Sequence, residues 1–82
     1  MLEKRQFPID MIHVPSKCAK TLDHQMVLDL AEDILQQGQK APIRVRADGR
    51  RFVLIEGYHR LEALRALGED SVEGILDGAR LH

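Results

Sequence analysis

One glycine, Gly57, separates two different hydrophobic patterns and constrains the fold more than any other residue. Before it, residues 52–55 (FVLI) are apolar and rich in β-forming side chains, which predicts a strand covered on both faces. After it, Leu61, Leu64 and Leu67 recur at helical spacing. A strand that passes through a glycine into a helix leaves backbone N–H groups without partners at the turn. The dipole of the helix then makes that turn attractive to anions.

The first turn of this predicted helix carries His59 and Arg60, two side chains that can donate hydrogen bonds to phosphate oxygens. Cations are disfavoured at the positive end of a helix dipole unless an anion compensates them. We therefore predict a phosphate site made by the backbone N–H groups of Tyr58, His59 and Arg60. The His59 ring and the Arg60 guanidinium are expected to add side-chain donors, with Gly57 allowing the turn.

Glu56 ends the predicted strand beside this turn and is open to several roles. Its carboxylate could pair with Arg60 or Lys20, hold a metal ion that bridges phosphates, or act as a base. Pairing is the commonest of these situations. Beyond Glu56 and His59 the sequence offers no cluster of metal-ligating side chains, which argues against a nuclease. A purely structural turn, in which Gly57 only permits the change of direction, stays open as well.

The rest of the chain predicts an α+β domain with the order β-α-β-β-α-β, in which helices cover a small mixed sheet. Its clearest helix has Thr21 or Asp23 as the expected N-cap and Gly38 as its end. Asp48-Gly49 predicts a hairpin with a type I′ turn. A chain of this length predicts a single domain, residues 1–82. The predicted ranges are 7–14, 42–47, 50–56 and 71–77 for the strands, 23–37 for the first helix, a second helix after Gly57, and 78–82 for a tail.

The net charge limits the kinds of partner, and the cysteine content indicates the cellular compartment. A formal net charge of −1 argues against a non-specific nucleic-acid binder, which needs a clear basic excess. The single cysteine, Cys18, cannot form a disulfide within the chain and is typical of a reducing cytoplasm, so we expect a cytoplasmic protein. No run is long enough to span a membrane, and the start of the chain has no signal-peptide pattern.

The predicted hairpin is nevertheless basic and is a candidate surface for DNA or an acidic partner. Charge runs usually only solvate a surface, and that reading stays open too. The candidate nucleic-acid residues are Arg44, Arg46, Arg50 and Arg51.

Four pieces of the sequence, in matching order and spacing, resemble the ParB/sulfiredoxin superfamily. The central piece, residues 54–63 (LIEGYHRLEA), is similar to the family signature of a strand ending in glycine, a short basic turn and a helix. The other pieces are residues 12–15, residues 27–34 with Gly38, and residues 42–45. The resemblance covers nearly the whole chain and implies a ParB/sulfiredoxin-like fold.

The turn itself departs from both well-known branches of the superfamily. In chromosome-partitioning ParB proteins it reads Gly-Glu-Arg-Arg and contributes to binding CTP as a switch for DNA clamping. Here Gly57 and Arg60 match, whereas Tyr58 and His59 do not, which puts CTP hydrolysis and clamp closure in doubt. In sulfiredoxin the turn reads Gly-Cys-His-Arg. Tyr58 stands where the reactive cysteine belongs, which argues against sulfinic-acid reduction.

The resemblance implies a nucleotide- or phosphate-binding domain of a DNA-partition or transcription regulator. The implied ligand is CTP, ATP or ADP, with magnesium as a candidate companion. Lys17 and Lys20 are expected to approach the phosphates, because the loop after the first strand borders the site in relatives, and Tyr58 is expected to line the pocket. DNA and a second copy of the chain, forming a homodimer, are further candidate partners.

Two alternatives from other classes remain, so the sequence leaves open whether the protein is an enzyme. One is a phosphoryl-transfer enzyme similar to the free serine kinase branch, with Glu56 as the candidate catalytic acid or base. The other is a DNA- or protein-interaction domain in which the anion site is vestigial and the basic hairpin makes the contacts.

Overall fold

The computed structural model describes residues 3–78, so residues 79–82 of the predicted tail (78–82) lie outside them. The strands are β1 (Lys4–Pro8), β2 (Ile12–His13), β3 (Ile43–Asp48), β4 (Arg51–Glu56) and β5 (Ser71–Leu76). The α-helices are α1 (Ser16–Ala19), α2 (His24–Gln37) and α3 (Tyr58–Ala66), and Ile9–Met11 forms a short 3-10 turn. None of these helices is long and apolar enough to cross a membrane.

The strands form one mixed sheet in the order β1-β5-β3-β4-β2. The β1–β5 and β3–β4 pairs are antiparallel, whereas β3–β5 and β2–β4 are parallel. This confirms the predicted α+β class and its mixed sheet.

The prediction of one strand at residues 7–14 is wrong. β1 and β2 lie at opposite edges of the sheet, and the 3-10 turn carries the chain from one edge to the other. Pro8 ends β1, because it has no N–H with which to continue the ladder. The N–H of Ile9 then donates to the carbonyl of Asp70 at 2.9 Å, a contact across the chain that no local pattern reveals.

The hairpin is confirmed, but its turn is not of type I′. Asp48 is the last residue of β3 and pairs with Arg51, so Gly49 and Arg50 form the loop. Gly49 has φ 63°, and no residue other than glycine has a positive φ in the described chain. A type I′ turn needs positive φ at both central residues, so the loop follows the type II′ pattern.

The core lies between the sheet and the two longer helices. Its largest fully buried side chains are Phe7, Ile43, Leu61, Val45 and Val72. The apolar side of α2 packs against them through Val27, Leu30, Ala31 and Ile34. Asp23 is the N-cap of α2, and Gly38, with φ 80°, is its C-cap, as the sequence predicts.

The segment between α2 and β3 is held by the side chain of Gln39, which acts as an extra peptide unit beside β5. Its Nε2 donates to the carbonyls of Ala41 (2.7 Å) and Glu73 (2.8 Å), and its Oε1 accepts from the N–H of Glu73 (2.9 Å). These bonds are partly buried.

We expect Gln39→Glu to lower the free energy of unfolding by about 1–3 kcal/mol, because a carboxylate keeps the shape but cannot donate to two carbonyls. Urea unfolding followed by circular dichroism measures the loss. Gln36→Glu, on the exposed part of α2, is the matched control. Equal losses in the two variants would contradict this role for Gln39.

Candidate anion site at the start of α3

Gly57 joins β4 to α3 in a conformation that only glycine adopts easily. Its φ is 103° and its ψ is 31°, in the left-handed region. A Cβ at this position would also lie 2.7 Å from Cγ2 of Ile43. The turn can therefore approach β3 closely because residue 57 has no side chain.

The first turn of α3 has unsatisfied backbone donors. Within residues 3–78, no side chain caps the helix, and the N–H groups of Tyr58, His59 and Arg60 have no hydrogen-bond acceptor. The first backbone bond of the helix runs from the N–H of Leu61 to the carbonyl of Gly57 at 2.9 Å. The donors expected at a helix start are thus available to a ligand.

Arg60 is half-buried beside these donors and, within the described residues, forms no ion pair or hydrogen bond. The nearby acids do not pair with it. Glu62 pairs with Arg65 at 3.3 Å, and Glu56 forms no ion pair within residues 3–78. The first turn of α3 thus combines the positive end of a helix with a guanidinium that has no counter-charge in the described part of the chain.

His59 forms a contact that the sequence does not suggest. Its Nε2 accepts a hydrogen bond from the backbone N–H of Asp23 at 2.9 Å. This nitrogen is therefore occupied as an acceptor, and the bond ties the start of α2 to the start of α3. The two residues are 36 positions apart, so no local sequence signal could have found the contact.

Tyr58 precedes His59 in α3, and the two predicted lysines lie in the segment before Asp23. Tyr58 is half-buried and packs against the core, with its ring centroid 5.9 Å from that of His59. Lys17 lies in α1 and Lys20 is the C-cap of α1, three residues before Asp23. Both lysines are exposed, and neither forms an ion pair within residues 3–78. The structure thus places them in or next to the loop that His59 holds.

Glu56 faces a different neighbour. Its cross-strand partner Arg44 donates to Asp77 at 2.9 Å, and the strands shift register at this point. The hydrogen bond to Asp77 and the charge of that carboxylate raise the pKa of Arg44, with a smaller contribution from Glu56. Among residues 3–78, no three His, Cys, Asp or Glu side chains are close enough together to hold a metal ion. The metal and catalytic roles of Glu56 stay predictions.

The basic hairpin is partly neutralised by the protein's own acids. Arg44 pairs with Asp77, and Arg51 pairs with Asp48 at 3.3 Å. Arg46 and Arg50 are exposed, and the described part of the chain gives them no ion pair. Only two of the four candidate arginines are therefore available to a partner without breaking a contact.

Two shallow cavities are lined by residues outside the first turn of α3. One, of about 370 Å³, is bordered by Arg46, Ile55 and Asp77. The other, of about 320 Å³, lies between α2 and α3 and is bordered by Leu22, by His24 and by Arg65. The candidate site needs neither cavity, because N–H groups at a helix end point outward and bind an anion without an enclosed pocket.

Known proteins resemble the chain in both sequence and fold. A model of the ParB N-terminal domain matches residues 3–79. The chromosome-partitioning protein ParB of Myxococcus xanthus is 35% identical over 72 residues, which cover 87% of this chain and 24% of that protein. The chain thus spans about a quarter of that relative's length.

Solved structures share the fold. Sulfiredoxin from Arabidopsis thaliana matches with a TM-score of 0.79 and 26% identity, over 88% of this chain and 81% of that one. A C-terminally truncated ParB from Caulobacter crescentus, complexed with CTP-gamma-S, gives 0.78 and 23% over 90% and 43% of the two chains. The same protein complexed to the centromeric parS site gives 0.74 and 23% over 88% and 38%.

Proposed function

The chain belongs to the ParB N-terminal domain family, and from this we propose that it binds a nucleotide by its phosphates at the first turn of α3. In this proposal it acts as the ParB-like domain of a DNA-partition or transcription regulator. We also propose that residues 1–82 work as one domain, in line with the match over residues 3–79.

The observation that carries the proposal is that an uncapped helix start and an arginine without an ion pair, Arg60, occur in the same helical turn. Within the described residues, three N–H groups and one guanidinium lack acceptors at the positive end of a helix. This arrangement destabilises the free protein, and a phosphate relieves it by accepting from the backbone and from Arg60 together. Lys17 and Lys20 add positive charge from the neighbouring segment.

CTP is the first ligand to test, because the C. crescentus ParB with the same fold is complexed with CTP-gamma-S. ATP and ADP are the alternatives. Magnesium is expected to reach the site with the phosphates, because this ion is usually held by substrate phosphates and few protein ligands. Tyr58 and His59 differ from the ParB residues within the turn itself. The nucleotide preference of ParB is therefore not assigned to this chain and has to be measured.

Thermal unfolding with CTP, ATP, ADP, GTP and inorganic phosphate, each with magnesium, tests the proposal. A ligand at about 100 times its Kd adds roughly 2.7 kcal/mol, which raises the Tm of a domain this small by roughly 10–20 °C. Arg60→Ala removes a charged hydrogen bond worth about 1.5–3 kcal/mol, so the affinity should fall by about 10- to 150-fold.

Arg46→Ala is the matched control, since Arg46, like Arg60, has no ion pair in the described chain but is exposed and lies on β3. Its ligand response should equal that of the wild type. No shift with any of the five anions, or an equal shift in wild type and Arg60→Ala, would overturn the proposal.

DNA binding through the basic hairpin is the second candidate, supported by the unpaired Arg46 and Arg50 and by the ParB structure complexed to parS. It predicts salt-dependent DNA binding that is lost on replacing both arginines but not on replacing Arg60. Phosphoryl transfer stays a prediction, and consumption of nucleotide in the presence of an acceptor would establish it.

A further inference from the structure

We propose that His59 is a positioning residue that holds the segment before α2 beside the anion site, and that it is not a phosphate ligand. The proposal rests on the function proposed above, because the purpose of the contact is to place Lys20 near the bound phosphate. The observation behind it is the hydrogen bond of 2.9 Å from the N–H of Asp23 to Nε2 of His59.

The chemistry of this bond fixes the state of the imidazole. A backbone N–H can only donate, so Nε2 of His59 must carry a lone pair. The ring is therefore neutral, and its single proton is on Nδ1. An imidazolium has no acceptor, so His59 cannot be charged while the contact exists. Nε2 is likewise unable to donate to a phosphate.

Asp23 transmits the position of His59 to the whole start of α2. Its Oδ1 accepts from the N–H groups of Gln25 (3.0 Å) and Met26 (3.3 Å), and its carbonyl accepts from Val27 (3.1 Å). Asp23 is thus joined to α2 through its side chain and carbonyl, and to α3 through its N–H. The segment from Lys20 to Asp23 cannot move away from α3 without breaking the bond to His59.

His59 is itself held in place by its neighbours. His59 belongs to the first turn of α3. Leu61, two residues further along the same helix, is fully buried in the core. Its ring lies 5.9 Å from that of Tyr58, which packs against the core. Folding has already fixed the orientation of the His59 ring. The ring can therefore hold the segment before α2 without losing further conformational entropy.

Two substitutions separate positioning from direct binding. His59→Phe keeps a ring but has no acceptor, whereas His59→Gln places an amide oxygen near the position of Nε2 and restores one. Without ligand, the Asp23 N–H should exchange with solvent about five- to tenfold faster in His59→Phe than in wild type, and His59→Gln should recover most of the protection. Ring ¹⁵N shifts of His59 should report the Nδ1-protonated form.

Calorimetry with inorganic phosphate and with CTP supplies the functional readout. His59→Phe should lower the affinity for both probes by about tenfold, and His59→Gln should bind them nearly as tightly as the wild type does. Lys20→Ala should weaken binding in wild type but add nothing in the His59→Phe background, because Lys20 is already displaced there. Such non-additivity marks two residues that act through one contact.

Three results would decide against the proposal. Unchanged Asp23 exchange in His59→Phe overturns the contact itself. Equal losses in His59→Gln and His59→Phe, additive with Lys20→Ala, show that His59 touches the phosphate directly. Wild-type protein that binds neither probe overturns the proposed function and the ligand half of this inference, while the exchange data still decide whether His59 holds Asp23.

Discussion

Gly57→Ala is expected to lower the free energy of unfolding by about 2–5 kcal/mol, the sum of left-handed backbone strain and overpacking. Alanine would have to adopt a φ of 103°. Its Cβ would also lie 2.7 Å from Cγ2 of Ile43, 3.0 Å from its Cβ and 3.2 Å from its Cα. The last of these is backbone, so β3 or the start of α3 has to shift.

Urea unfolding followed by circular dichroism measures this loss. Gly49→Ala is the matched control, because Gly49 also has a positive φ, 63°, but a Cβ there would meet nothing within 4 Å. It should lose only the backbone strain, about 1–2 kcal/mol. Equal losses in the two variants would show that contact with Ile43 contributes nothing. If the start of α3 shifts, the affinity for phosphate at this turn should also fall.

Phe7→Ala is expected to destabilise the protein by about 3–5 kcal/mol, the usual range for removing a buried aromatic ring. Phe7 is 1% exposed and contacts Phe52 edge-to-face, with 4.9 Å between ring centroids. It is also the β1 residue paired with Val72 of β5, so its loss leaves a cavity where an edge strand joins the core.

The free energy of unfolding in urea again provides the measurement, with two comparisons. Phe7→Leu refills much of the space and should cost clearly less than Phe7→Ala. Leu35→Ala removes a side chain that is 74% exposed and should change stability by no more than about 0.5 kcal/mol. A loss for Phe7→Ala as small as that for Leu35→Ala would mean that β1 is not anchored by this ring.

Local signals made much of this fold predictable. The start of α2 could be predicted because Asp23 caps N–H groups that lie only two and three residues ahead of it. Gly57 marks the end of β4 because a change of hydrophobic period and a glycine coincide there. Arg60 could be nominated for the same reason, since an arginine in a first helical turn is unusual without a compensating anion.

What the sequence could not show depends on residues far apart in the chain. The split of the first strand accompanies the bond between Ile9 and Asp70, and the contact of His59 with Asp23 joins residues 36 positions apart. The sequence predicts the hairpin at Gly49, but the pairing of Asp48 with Arg51 places the loop one residue later and changes the turn type. In each case the local preference allowed several outcomes and tertiary contacts selected one.

The position of β1 has a consequence for how the molecule forms during synthesis. Lys4 pairs with Ile75 and Pro8 with Ser71, so β1 cannot find its partner until β5, the last strand of this sheet along the chain, has been synthesised. Pairing over such a separation is slow, because a long loop must close before any contact rewards it. A nascent chain that stops before β5 therefore exposes Phe7 and the edge of β3 together.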